Sequence, residues 1–250
     1  MQIKTSIEKE AIMETLTTKT ACGKNDQESL TPEEMEQRLY AAVDSHKFEE
    51  SRFYKLVVKP KCPPALIARW AWAVHASATT FCAMLADLVE TAPTTAARLT
   101  LLENLMEEEG IFLHASHGLV AKPEAKHCAL SLRLAQACSQ ELEAPQGASD
   151  TIVKANRYIQ EGRWLETVSF ILVGQELRFA RTSLLMYEVL KKKGFSEWDL
   201  AFLTVHGEAD ERHGREAIEL VVDHALTREE QELALQAAEA GARHFFNTYN

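Results

Sequence analysis

The sequence predicts an all-α protein, a single-domain bundle of about seven helices, and three observations carry that prediction. Apolar residues recur at intervals of three and four along most of the chain, and strand-like alternation is scarce. Only 10 Gly and 7 Pro punctuate 250 residues, few for a fold built from many short strands and turns. Helix starts with the right chemistry also recur, each followed by a periodic run.

Residues 1–30 are polar and lack a steady period, which reads as an N-terminal arm preceding a domain over 31–250. Order begins at Thr31-Pro32-Glu33-Glu34, where a Thr N-cap, Pro at the first position and Glu at the third open a helix over 32–50. A second, more apolar helix spans 63–90. Its uncharged run from Trp70 to Ala86 is short for a membrane span and contains His75, Ser77, Thr79 and Thr80, so a packed helix is expected. A third helix, 94–109, closes at Gly110. The stretch from Gly110 to Lys122 is the least regular of the interior. Helices over 123–143, 150–161 and 163–192 follow, the last two as a broken pair ending at Lys191-Lys192-Lys193-Gly194. Ser196-Glu197-Trp198-Asp199 opens 196–224, and Thr227-Arg228-Glu229-Glu230 opens 227–247.

Composition narrows the function classes. A chain that is 46% hydrophobic and 26% charged can bury a core without disulfides or a structural metal. Net charge is −10, and Lys191–Lys193 is the one basic block, so the footprint of a nucleic-acid partner is missing. The five cysteines, Cys22, Cys62, Cys82, Cys128 and Cys138, are odd in number and form no CxxC, as expected of free thiols in a reducing compartment. With no signal-peptide pattern at the start, a cytoplasmic protein without a membrane partner is expected.

The functional signal lies in ionisable residues on faces that should be buried. At about 100° per residue, His206, Asp210 and His213 fall within an arc of roughly 60°, alongside Phe202, Ala209, Ala217 and Leu220. Burying them unpartnered costs several kcal/mol. A shared metal removes that cost, because imidazole and carboxylate are ligands for iron, manganese or zinc; hydrogen bonds among them would remove it too, and spacing does not choose. Glu176 sits in the apolar run Val168-Ser169-Phe170-Ile171-Leu172-Val173-Gly174-Gln175-Glu176-Leu177, either as a hydrogen-bonded core group or as a ligand. Glu108 ends a helix beneath Leu101 and Leu105, where the macrodipole disfavours negative charge unless something cationic is near. A run of three Glu at a helix end is equally a solvated face. His127 shares a stripe with Leu130, Leu134 and Cys138, and His114 and His117 on the looser segment compete with it. Facing helices that offer such groups are how bundles hold two metals, although the pair of Glu-x-x-His motifs of a ferritin-like site is not there.

Together, Asn104-Leu105-Met106-Glu107-Glu108-Glu109-Gly110, His127-Cys128-Ala129-Leu130 with its helix, Glu176 and His206-x3-Asp210-x2-His213 resemble one family. It is that of the heme-oxygenase-like non-heme diiron oxidases and oxygenases, relatives of the chlamydial death-domain-associating protein. The resemblance covers roughly residues 38–224, and its most specific part is the His-x3-Asp-x2-His spacing within Glu208-Ala209-Asp210-Glu211-Arg212-His213. It implies a heme-oxygenase-like bundle in which Glu108, His127, Glu176, His206, Asp210 and His213 are metal ligands. The connection from Gly110 to the first histidine is longer than the family's, so His114 and His117 stay open as replacements for His127.

The resemblance further implies two Fe(II) ions and O2 as co-substrate. The substrate class is a small acid or an amino-acid derivative, transformed by C–C or C–N cleavage, decarboxylation or desaturation. The second metal of the family is often weakly held on a mobile helix. Gly207 and Gly214 beside two of the ligands lower helix propensity by about 1 kcal/mol each, which suits that behaviour. Tyr54 falls where a subgroup of self-sacrificing p-aminobenzoate synthases carries its tyrosine. No lysine follows Glu176 in the turns where that subgroup has one, so Tyr54 is expected to pack. Trp72, His75, Thr79 and Cys82 form a mixed stripe that suits either a substrate-pocket wall or ordinary core. Expected partners are the small-molecule substrate and, at most, a second copy in a homodimer. Two other readings remain: a metal-free relative of the thiaminase II or pyrroloquinoline-quinone synthase type, and a helical interaction module with structural histidines.

Overall fold

The computed structural model describes residues 28–139, 141 and 149–250. Nearly all of the expected N-terminal arm therefore lies outside the described residues, as do Cys22 and the end of the helix expected to reach 143. Helix α1, Pro32–Asp44, starts at the capping box read from the sequence: Thr31 accepts from the Glu34 amide and Glu34 accepts from the Thr31 amide. It stops at Asp44 rather than 50. Ser45 bonds back to the Ala42 carbonyl, a 3-10 turn covers Phe48–Glu50, and Ser51 caps a separate short helix, α2, Arg52–Val57. The aromatic knot explains the break, because Phe48 must turn inward to meet Tyr249 edge to face at 5.0 Å.

Helix α3, Pro64–Thr91, is long and apolar enough by length and composition alone to cross a membrane. Here it packs mainly on α4 (Thr95–Glu108), α5 (His127–Cys138) and α6 (Asp150–Gln160), and its Leu88 carbonyl accepts from Trp164 Nε1. It buries Trp70, Ala71, Trp72, Met84, Leu85 and Leu88 while small residues such as Ala73 and Ala83 stay exposed.

The segment after Gly110 is a hairpin, which the sequence reading did not foresee. Strands β1, Ile111–His114, and β2, Gly118–Ala121, pair antiparallel with Ile111 opposite Ala121 and His114 opposite Gly118. Four-residue strands that are exposed on most positions leave no alternation to detect. Gly110 enters the hairpin at φ 68°, and a Cβ there would lie 2.5 Å from the Lys122 carbonyl oxygen, so only glycine fits. Helix α5 starts at His127 rather than 123 because Pro123–Ala125 forms a 3-10 turn.

Helix α7, Trp164–Val168, runs through a π-helical segment, Ser169–Glu176, into α8, Leu177–Lys192. Helix α9 spans Ala201–His224, five residues shorter at its start than the expected 196–224, because Ser196 and Asp199 exchange side-chain bonds in a local turn. Helix α10, Arg228–Thr248, opens with a second capping box, Thr227 and Glu230. The π segment and α10 touch backbone to backbone: a Cβ on Gly174 would lie 2.6 Å from the Ala238 carbonyl oxygen, and one on Gly241 would fall on that of Phe170. One apolar cluster gathers Leu39, Leu88, Leu101, Phe170 and Val221, and a second gathers Phe53, Trp70, Leu134, Leu190 and Phe202.

Candidate metal centre

Helix α9 directs His206, Asp210 and His213 inward, and Asp210 and His213 are each only 1% exposed. The π segment ends at Glu176, α4 ends at Glu108 and α5 begins at His127, all three buried. These side chains form two groups, Glu108–His127–His206 and Glu176–Asp210–His213. Within each group the potential ligand atoms lie within 4.8 Å of one another.

In the first group, His127 Nδ1 lies 2.8 Å from Glu108 Oε1, yet without the alignment of a hydrogen bond. His206 Nδ1 donates to the Phe202 carbonyl at 2.9 Å, which fixes its tautomer and leaves Nε2 for the cluster. Burial pushes the His206 pKa down to about 3, so the ring is neutral, as a metal ligand must be. Burial opposes charge on Glu108, but His127 above all overcomes it and holds the carboxyl below its usual range. Glu108 at a helix C-terminus thus meets the imidazole and helix N-terminus of α5, the compensation its position calls for.

The second group is wired differently. His213 Nδ1 is 3.2 Å from Glu176 Oε1, and its Nε2 is 3.2 Å from Glu107 Oε2. Arg212 pairs with the same Glu107 carboxylate. Burial would depress His213, but Glu107 and Glu176 reverse that and raise it to about 10. Burial also works against Glu107, and His213 and Arg212 nevertheless hold it down to about 2. Asn104 donates to Glu176 Oε1 at 3.4 Å. Both carboxylate oxygens of Asp210, and Oε2 of Glu176, are buried without any partner. Burial, then Glu176 and Glu108, push Asp210 well above its usual range. Unsatisfied carboxylate oxygens cost of order 1–3 kcal/mol each, and a divalent cation is the group that would satisfy them. The donor set therefore fits a metal that takes the place of the His213 proton facing Glu176.

His114 and His117 are not near either group. They sit exposed on the hairpin with their rings stacked at 4.7 Å, so of the three competing histidines His127 alone joins the cluster. Glu107 lies in a run of three Glu with the pattern of a solvated face, and Asn104 stands out in the sequence only by its place in the motif. The available signal was their spacing: Asn104 lies one turn before Glu108, and Arg212 adjoins His213.

A cavity of about 380 Å³ reaches Glu108, Glu176, His206 and Asp210, and Phe53, Trp70, Phe81, Ile171, Phe179 and Phe245 make much of its wall. The stripe expected to form that wall is elsewhere. Trp72 Nε1 donates to the Ser139 carbonyl at 3.1 Å, His75 Nδ1 meets the Ser131 hydroxyl at 2.9 Å, and Thr79 bonds to the Ala76 carbonyl. Tyr54 packs against Phe48 and does not line the cavity. The wall on α3 is Trp70, Val74, Ser77 and Phe81, which the helical repeat puts roughly opposite Trp72, His75 and Thr79.

Residues 68–245 match the family described as iron-containing redox enzyme, haem-oxygenase type. The chain belongs to that family. A domain of unknown function with a heme oxygenase-like fold from Shewanella denitrificans superposes with a TM-score of 0.60 at 13% identity, over 88% of this chain and 92% of that one. A TenA homologue from Pseudomonas syringae pv. tomato does so with a TM-score of 0.63 at 12% identity, over 86% and 88%. At such identities the likeness establishes the fold alone, and that fold is the all-α heme-oxygenase-like bundle. No curated protein matches the chain.

Proposed function

We propose that the chain is a non-heme diiron enzyme that uses O2 to oxidise a small acid or an amino-acid-derived molecule. Glu108, His127 and His206 would hold one iron, and Glu176, Asp210 and His213 the other. The observation that carries this reading is Asp210, a carboxylate buried with both oxygens unpartnered beside a second carboxylate and an imidazole. Ferrous iron, when bound, supplies the electrons for O2 chemistry.

The chain's own residues do the rest. The Phe202 carbonyl keeps His206 in one tautomer, and the Glu107–Arg212 pair holds the far nitrogen of His213. Phe179, Phe53 and Trp70 give the cavity an apolar wall that excludes water and suits a substrate with an apolar body. C–C or C–N cleavage, decarboxylation and desaturation are the reactions such a site serves.

The likeness to a TenA homologue favours a second reading, a metal-free enzyme on the same scaffold. Iron content separates the two. Anaerobic ferrous loading followed by desalting should leave about two irons per chain, with O2 uptake stimulated by a cognate acid. A chain that retains no iron rejects the first reading and leaves the second.

A further inference from the structure

A second cavity, of about 230 Å³, lies between α1 and the α8–α9 pair and shares no lining residue with the larger one. Arg178 lines it and is only 8% exposed. One of its nitrogens donates to the Val43 carbonyl, but Nε has no partner, and among the described residues no carboxylate lies within ion-pair distance of it, Asp44 and Glu49 acting only from farther off. One turn further along α8, Thr182 also lines the cavity, fully buried, with its hydroxyl unpartnered. A buried guanidinium without an anion is costly, and an orphaned hydroxyl beside it adds to the cost.

The rim continues the pattern. Lys47, Arg181 and Arg215 join Arg178, against Asp44, Glu49 and Glu211 on the acidic side. That is four basic residues to three acidic ones in a chain whose net charge is −10. Glu49 pairs with Arg181 through Oε1 and leaves Oε2 without a partner, and Asp44 and Glu49 attract Arg178 through space without an ion-pair contact.

We propose that this cavity binds a small oxyanion, a carboxylate or phosphate group, with Arg178 and Thr182 as its buried donors and Arg215 at the rim. The planar guanidinium fork suits either group. Such a ligand would tie α1 to the helices that carry Asp210 and follow Glu176, but its binding needs no metal and is independent of the diiron reading.

Isothermal titration calorimetry on the full-length, metal-free chain at constant ionic strength tests this, with inorganic phosphate in one arm and acetate and succinate in the other. Saturable binding of one anion per chain is expected in at least one arm, and the arm that responds names the group. Arg178→Gln should weaken it by about tenfold or more, since a charge-assisted hydrogen bond is lost. Thr182→Val should weaken it without unfolding the protein, and Arg243→Gln, exposed on α10 and outside the cavity lining, should leave it unchanged. Arg215→Gln, an exposed position, serves if Arg178→Gln does not fold. Absence of saturable binding in both arms would overturn the proposal, as would wild-type affinity in Arg215→Gln and Thr182→Val together.

Discussion

The two halves of the candidate metal centre share one helix, α9, and differ in how their charges are settled. The Glu108 half is closed on itself: one carboxylate, ionised beside His127 at 2.8 Å, and a His206 tautomer fixed by the Phe202 carbonyl. The Glu176 half holds its imidazole in ion pairs, with His213 caught between Glu176 and Glu107, and leaves Asp210 unsatisfied. A cation entering the Glu108 half would find His206 neutral and Glu108 ionised, whereas one entering the Glu176 half would have to displace the proton that Glu107 and Glu176 hold on His213. The expected loading is therefore sequential, the Glu108 half first.

Substitution of ligands has the largest expected effect. His206→Ala or Glu176→Ala should bring O2 uptake to background while circular dichroism still reports a helical protein, and retained turnover in either variant would exclude that residue as a ligand. In the same protein, His206→Ala should remove the tighter of two iron-binding steps and Glu176→Ala the weaker. Equal losses from both variants would dissolve the distinction between the halves.

Glu107→Gln is the sharper probe. Groups that orient a ligand typically alter metal affinity by about 10- to 100-fold, so the weaker iron step should fall within that range and the tighter one stay put. A change in both steps would show that Glu107 supports the whole fold rather than His213.

Gly241→Ala attacks the second half from outside. A Cβ there meets the Phe170 carbonyl of the π segment that ends at Glu176. Overpacking of this kind costs about 1–3 kcal/mol, readable as a lower urea midpoint. The weaker iron step should suffer more than the tighter one.

The smallest effect is expected at Cys138, away from both halves. Burial, with a contribution from Asp199, lifts its thiol from 9.0 to about 12. Because burial disfavours the charged form, the reactive thiolate is scarcer than for an unshifted cysteine by about a thousandfold near pH 8. Iodoacetamide labelling should be slow, rise with pH towards 12, and not respond to iron. Acceleration on iron loading would mean that metal binding reorganises α5 and not the second half alone.

Much of the architecture was legible because it is written in local chemistry. The capping boxes at Thr31 and Thr227 and the His206–Asp210–His213 arc depend only on residues within a turn or two of each other. Gly110 marked a real terminus for the same reason. The helix break at Ser45 was not legible, since it answers to Phe48 meeting Tyr249, some two hundred residues away in the chain. Nor was the hairpin, whose exposed four-residue strands bury too little to show a period.

For the site, periodicity identified which ionisable residues are turned inward, because a helix places every fourth residue on one face whatever surrounds it. It could not say which face of α3 meets the cavity, and the stripe with Trp72 and His75 proved to be opposite the one with Trp70 and Phe81. It also could not pair Glu108 with His127 across the hairpin, or give His213 its contact with Glu107. Those outcomes rest on how helices are packed side by side, and a contact between helices is set by the shapes and charges of both partners at once.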